Sequence, residues 1–259
     1  GGVYAVNSYG LITHGHFERN FVQSGSQNYG AGLYFSGGAW TVQHTRLVYN
    51  WGSGTSLGGG LFSAGGNHLL NNCLIAQNDM GSGSDGVYVG GGTLTLRNCT
   101  VAANGGQGVR QNSGAISIMD SILWKNGDDV VGTVTLNYSN VEDGDQAGSN
   151  GCFSADPAFE RGFYLAPHSP CVNTGSQTAA DAGLAGRTTR ADGTADSEAV
   201  DLGWHDEGGL DPAIADFYVA PDGQDTWSGT NASQPFRTLT KAATVAREGS
   251  RIHIAAGSY

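Results

Sequence analysis

His14 and His44 stand at matching places in successive segments of a repeat, and two imidazoles one segment apart could share a metal ion. The same place continues as Asn72, Asn98 and Asp120, so a ladder of polar turn residues is the simpler account. Asp222 and Asp225 sit in a polar loop whose carboxylates could hold calcium, although Asp-Gly turns form without an ion. Acidic residues crowd at Asp128-Asp129 and at Glu142-Asp143 with Asp145, and these read as solvated turns. The nearby basic residues Arg19, Arg46, Arg97, Arg110 and Lys125 occupy different places in the repeat, so no carboxylate cluster with a partnering base emerges. Tyr4, Tyr34, Phe62 and Tyr88 share one place. They form a stripe that could stack on sugar rings or meet a protein, or else pack ring on ring.

The frame that positions these residues is an interval of 17 residues between an aliphatic anchor and an asparagine. It recurs as Val3 and Asn20, Leu33 and Asn50, Leu61 and Asn78, Val87 and Asn104, and Val109 and Asn126. Successive asparagines lie 30, 28, 26 and 22 residues apart, with the change confined to the Gly/Ser/Asn-rich stretch after each one. A fixed frame with a variable excursion marks stacked coils with insertions on one side. Counting from the anchor, position +9 holds Ile12, Val42, Leu70, Leu96 and Ile118, and position +14 holds Phe17, Leu47, Ile75, Val101 and Leu123. Position +12 is always small. Apolar positions alternate with polar ones at the period of a strand, which predicts three short strands per coil. Val134, Leu136, Ser139 and Val141 make a partial sixth frame. Glycine supplies 43 of 259 residues and no 3.6-residue period runs through the coils, which excludes a helical solenoid. The expected fold is all-β, a right-handed parallel β-helix, with one short capping α-helix near the C-terminus. The asparagines read as structural, sharing amide hydrogen bonds along the axis and ending each strand in a turn.

Net charge is −11, which disfavours nucleic acid and anionic lipid as partners. No apolar run reaches the length of a membrane span. Cys73 and Cys99 share position +12 in neighbouring coils and read as stacked buried thiols, or as a disulfide if the geometry allows. Cys152 and Cys171 flank a proline-containing loop that a bridge could close, which would suit a secreted protein.

Residues 1–144 are the regular coils. Residues 145–205 lose the frame and read as the closing part of the solenoid, with irregular coils and a covering loop. Residues 206–215 read as a linker, and 216–259 as a capping strand, a helix over Thr238 to Glu248 with an apolar face of Leu239, Ala242, Ala243 and Ala246, and the first strand of a following unit.

The tetrads Phe17 to Asn20, Leu47 to Asn50, Ile75 to Asn78, Val101 to Asn104 and Leu123 to Asn126, each preceded by a Gly-aliphatic step such as Gly59-Gly60-Leu61, resemble the paired motifs of bacterial polymorphic outer-membrane proteins and related secreted pectate-lyase-like β-helix proteins. Only the first tetrad carries that family's phenylalanine. Ala155-Asp156-Pro157, Tyr164 to Cys171 and Val200 to Gly203 are similar to the closing segment of such proteins, and Tyr218 to Tyr259 is similar to their start. The end of one unit thus precedes the beginning of another, as in a window on a tandem array or in a circularly permuted domain.

The resemblance implies secretion or display at the cell surface, and it admits polysaccharide chemistry by clustered carboxylates with calcium and a basic residue. The residues themselves favour an extracellular structural or adhesive solenoid that needs no cofactor, associates end to end with its own copies through 216–259 and the Gly1 end, and is not a catalyst. A polysaccharide-binding or polysaccharide-cleaving module is the alternative.

Overall fold

Coils close because three apolar pairs per frame face one axis. The computed structural model describes residues 1–23, 28–54, 56–81, 86–207, 216–246 and 250–258. Parallel pairing sets the anchors over one another, from Val3 through Leu33, Leu61, Val87 and Val109 to Val130. The +9 residues stack from Ile12 to Leu136, and the +14 residues from Phe17 to Val141. The molecule is an all-β parallel β-helix of three-sided coils. In coils 2 and 3 the sides merge into single long strands, Leu33–Val48 and Leu61–Ala76, whereas coil 4 divides into Val87–Val89, Thr93–Arg97 and Thr100–Ala102. The inward residues Leu33, Leu61, Val87, Leu70, Leu96, Leu47, Ile75 and Val101 are wholly buried, each stabilising the fold by about 1.5–3 kcal/mol.

Each corner is made by a residue in the left-handed region. At +16 these are Arg19, Tyr49, Gln77, Ala103 and Lys125, with φ of 55, 55, 56, 53 and 57°. The strand-ending turn therefore belongs to the residue before each asparagine and not to the asparagine itself. At +11 they are His14, His44, Asn72, Asn98 and Asp120, with φ between 48 and 55°. The first corner uses glycine at +5 in coils 2 to 5. A Cβ on Gly92 would lie 2.0 Å from the Gly66 carbonyl oxygen, so only glycine lets successive coils approach there. The sixth coil makes this corner tighter: Val130 takes the anchor place under Val109, and Val134 follows only four residues later.

Beyond the coils, Asn140 bridges Phe153, and Cys152 joins the main core as part of one more irregular rung. Residues 156–207 then lie along the outside of the third face as a cover. Tyr164, Ala191 and Trp204 pack on Val48, Leu74 and Ala76, while Leu165, Cys171 and Leu202 pack on Ile122 and Trp124. Asp206 exchanges backbone hydrogen bonds with Thr188 and accepts from the Tyr164 hydroxyl, so Asp206 and Glu207 belong to this cover and not to a linker. Residues 208–215 of the expected linker lie outside the described residues.

The C-terminal segment has its own small core of Phe217, Val219, Phe236 and Ala242. Asp216–Val219 pairs in parallel with Arg251–Ile254. The helix is shorter than expected, Leu239–Val245, and starts at the Thr238 cap. Only Ala242 of its expected apolar face is fully buried, with Ala246 packed partly against the small core, whereas Leu239 is exposed. No helix among the described residues is long and apolar enough to cross a membrane.

Candidate functional site

The stacked asparagines form a continuous amide ladder. Nδ2 of Asn20, Asn50, Asn78 and Asn104 each donates to Oδ1 of the next at 2.8–2.9 Å, and their backbone N–H groups donate to the same oxygens. The second proton of each Nδ2 from Asn50 onward goes to a +14 carbonyl one coil back, from Phe17 through to Val101. Asp129 ends the ladder, accepting from Asn126 Nδ2 at 2.8 Å and from the Glu142 N–H at 2.8 Å. The expectation of solvated turns therefore fails at Asp129, which is buried. That burial raises its carboxyl above the ordinary range against the pull of these hydrogen bonds.

The +11 corners form a second polar ladder, and the cover docks along it. Glu207 meets His14 Nε2 at 2.5 Å and Arg187 at 2.6 Å; the hydrogen bond from His14 is the main reason its carboxyl lies below the ordinary range. His14 and His44 stack 5.2 Å apart, and Asn72 Nδ2 lies 2.9 Å from His44 Nδ1. Ser176 donates to both oxygens of Asp120, at 2.7 and 2.8 Å. These side chains hold the chain's own closing segment. Among the described residues no group of three His, Cys, Asp or Glu side chains is gathered to hold a metal.

Tyr4, Tyr34, Phe62 and Tyr88 stack in series, with centroids 4.6, 5.4 and 5.0 Å apart and planes within 10° of parallel. Stacking consumes the ring faces that a sugar would need, so the inner rings offer edges. The stripe is not exposed throughout. Phe62 is only 7% exposed, because Tyr29 from the variable excursion folds against it at 4.3 Å, whereas Tyr4 is 74% exposed. Phe21 and Trp51 form a second stack at 3.9 Å, and Phe21 shares a shallow groove with Tyr4, Tyr29 and Tyr34.

Asp225 accepts from the N–H groups of Arg237 and Thr238, both at 2.9 Å, and from the Thr238 hydroxyl at 2.8 Å. Both its oxygens brace the helix start, and the Thr238 hydroxyl chiefly holds its carboxyl below the ordinary range. Asp222 lies exposed in the preceding turn. All four cysteines are buried free thiols, with Cys152 in the main core and Cys171 under the cover. Burial pushes Cys171 up to about 12 and Cys73 well above the ordinary range, so neither is a thiolate nucleophile near neutral pH.

A cavity of about 690 Å³ lies between the third face of coils 1 to 3, the cover and the last turn of the helix. Arg19, Arg46, Glu18, Tyr49, Phe163 and Trp204 line it. Reasoning from the sequence did not join these residues, which come from four separated segments.

Over residues 221–259 the chain matches a family model described as a protein of unknown function (DUF1565), a family associated with β-helix repeat proteins. This is the stretch whose sequence resembles the start of a secreted β-helix domain. No curated protein and no solved structure matches the chain.

Proposed function

We propose that the protein is a structural β-solenoid that works by end-to-end association, as one period of a tandem array or head-to-tail filament outside the cell or at its surface. The observation that carries this reading is a pair of one-sided parallel strands. Among the described residues, Val3–Thr13 pairs along its length only with Leu33–Val48, and it exposes Tyr4, Val6, Tyr9 and Leu11. Among the described residues, Arg251–Ile254 likewise pairs only with Asp216–Val219, and it exposes Ile252 and Ile254.

An unpaired strand edge is a template for another strand. The two edges have complementary polarity. The open side of Arg251–Ile254 is where a following rung would lie, and the open side of Val3–Thr13 is where a preceding rung would lie. Joining them gives a heterologous contact that does not close, hence a fibre. Exposed uncharged polar residues and the resemblance to secreted proteins support an extracellular setting.

The test is to delete residues 216–259 and compare assembly by sedimentation and electron microscopy. The truncated chain should keep the coil signature in circular dichroism and lose end-to-end assembly. Fibres of unchanged repeat from the truncated chain would refute the reading.

A further inference from the structure

We infer that copies dock in one register, with Ile252 of one copy laid on Val3 of the next and His253 on Tyr4, a register that rests on the end-to-end reading and specifies it. Two ring stacks finish at the two open strand edges. Tyr4 begins the stripe of the coils: Tyr34 stacks on it at 4.6 Å with planes 10° apart, and Tyr4 is 74% exposed. His253 finishes a second stack. Its ring lies 4.7 Å from that of Tyr218 with planes 14° apart, and its side chain is 48% exposed. Among the described residues neither Tyr4 nor His253 has a second stacked ring. Both stacks advance by close to the ~4.8 Å spacing of paired strands, so each presents a ring where the next rung would add one.

The apolar side chains select the same register. Ile252 and Ile254 pair with Phe217 and Val219, which fill the small core, so all four stand on one side of their sheet. On the first coil Val3 and Ala5 face the main core. Laying Ile252 on Val3 and Ile254 on Ala5 joins the two cores and covers isoleucines that are 39% and 55% exposed. A shift by one residue would turn both isoleucines away from the core. A shift by two keeps the cores together but sets His253 opposite Gly2 or Val6, and the two ring stacks then fail to meet. One register satisfies cores and rings together. Strand length agrees with it. Arg251–Ile254 has four residues and finishes opposite Ala5, just before coil 1 turns its first corner at Asn7 with φ of 46°.

Disulfide trapping in the full chain reads the register. Tyr4→Cys and His253→Cys are prepared as separate single variants and mixed, with oxidised glutathione as the oxidant. The four native thiols are buried, and the wild type serves as the blank. Pairing brings the two introduced residues to about 4.8 Å between Cα atoms, within the ~7 Å a disulfide can span, whereas a slip of two residues sets them about 8 Å apart. The mixture should give a covalent dimer on a non-reducing gel. Neither variant alone should, because the contact is head to tail. Val6→Cys mixed with His253→Cys should give roughly tenfold less dimer. Tyr4 and His253 are exposed, so both variants should keep the circular dichroism of the wild type. Sedimentation of the wild type separates two failures. Assembly with no dimer from the Tyr4→Cys and His253→Cys mixture, with equal trapping at Val6→Cys, or with dimer from either variant alone would overturn the register and leave the end-to-end reading standing. A wild type that stays monomeric up to about 1 mM would overturn both.

Discussion

Asn72 and His205, 133 residues apart, exchange two hydrogen bonds: the His205 N–H donates to Asn72 Oδ1 at 2.6 Å, and Asn72 Nδ2 donates to the His205 carbonyl at 2.8 Å. The side-chain amide of a coil corner thus stands in for a strand partner. The Gly203 N–H donates to the Asp120 carbonyl and the Trp204 N–H to Thr100 Oγ1, so the cover crosses the coils by pairing with one corner or strand residue after another. The polar series at +11 is the strip on which the closing segment is laid.

Asn72 has φ of 54°, so replacing it tests two effects at once. Asn72→Ala removes both hydrogen bonds and the contact with His44 Nδ1, leaves the buried His205 backbone groups without these partners and strains the corner. The combined cost should be about 3 kcal/mol. Asn72→Gly keeps the corner relaxed and should recover only about 1 kcal/mol of this. Urea unfolding measures the totals, and limited proteolysis within residues 156–207 reports release of the cover. If the glycine variant matched the wild type, the amide would not be what holds the cover.

His68 sets a pH dependence. Its Nδ1 accepts from the Trp40 N–H at 3.2 Å and its Nε2 donates to the Gly65 carbonyl at 2.8 Å, an arrangement that only the neutral ring satisfies. Burial lowers its pKa below 6.5, with the Gly65 hydrogen bond opposing. The unfolded chain therefore takes up a proton first as pH falls below 6.5. This contribution to stability is complete above 6.5 and declines as pH drops toward the folded value. His44 is also lowered, chiefly by burial, and adds a slope of the same sign. His68→Leu should thus reduce, without abolishing, the loss of urea stability between about pH 8 and pH 5. An undiminished loss in the variant would show that the ring is not kept neutral in the core.

The coil body was legible because its inward residues repeat at fixed offsets, and the stacking of Leu70 on Leu96 or Ile75 on Val101 follows directly from that spacing. The +16 corner was not, because Arg19, Tyr49, Gln77, Ala103 and Lys125 share a conformation and no side-chain chemistry. A signal for the cover lay in plain view. Val48, Leu74, Ala76, Ile122 and Trp124 sit at outward positions of the third face, which makes that strand apolar on both sides, and such a strand must be covered. The cavity left no trace in the spacing, since Arg19, Arg46, Phe163 and Trp204 meet only after the cover has folded across the coils.

Asn78 sits mid-ladder, and its side chain takes part in four hydrogen bonds with no solvent exposure. It accepts from the N–H and Nδ2 of Asn50 and donates to Leu47 O and Asn104 Oδ1, all within 2.9–3.0 Å. Alanine there orphans groups on both neighbouring coils, and burial makes each orphan costly, so Asn78→Ala should lose about 3–5 kcal/mol. Asn20 lies at the half-buried end of the ladder and donates only to Asn50, so Asn20→Ala should lose about 1 kcal/mol. Asn78→Asp separates acceptor from donor function. Its carboxylate still accepts from Asn50 but faces the Leu47 carbonyl and Asn104 Oδ1 without protons to give. Protonating the introduced carboxylate restores one donor, so this variant should gain stability as pH falls toward about 4, opposite in sign to the wild-type loss from His68. Urea midpoints at constant m-value measure all three. An Asn78→Ala cost no larger than that of Asn20→Ala would mean that the coils are held by their apolar stacks alone, with the amide ladder adding nothing.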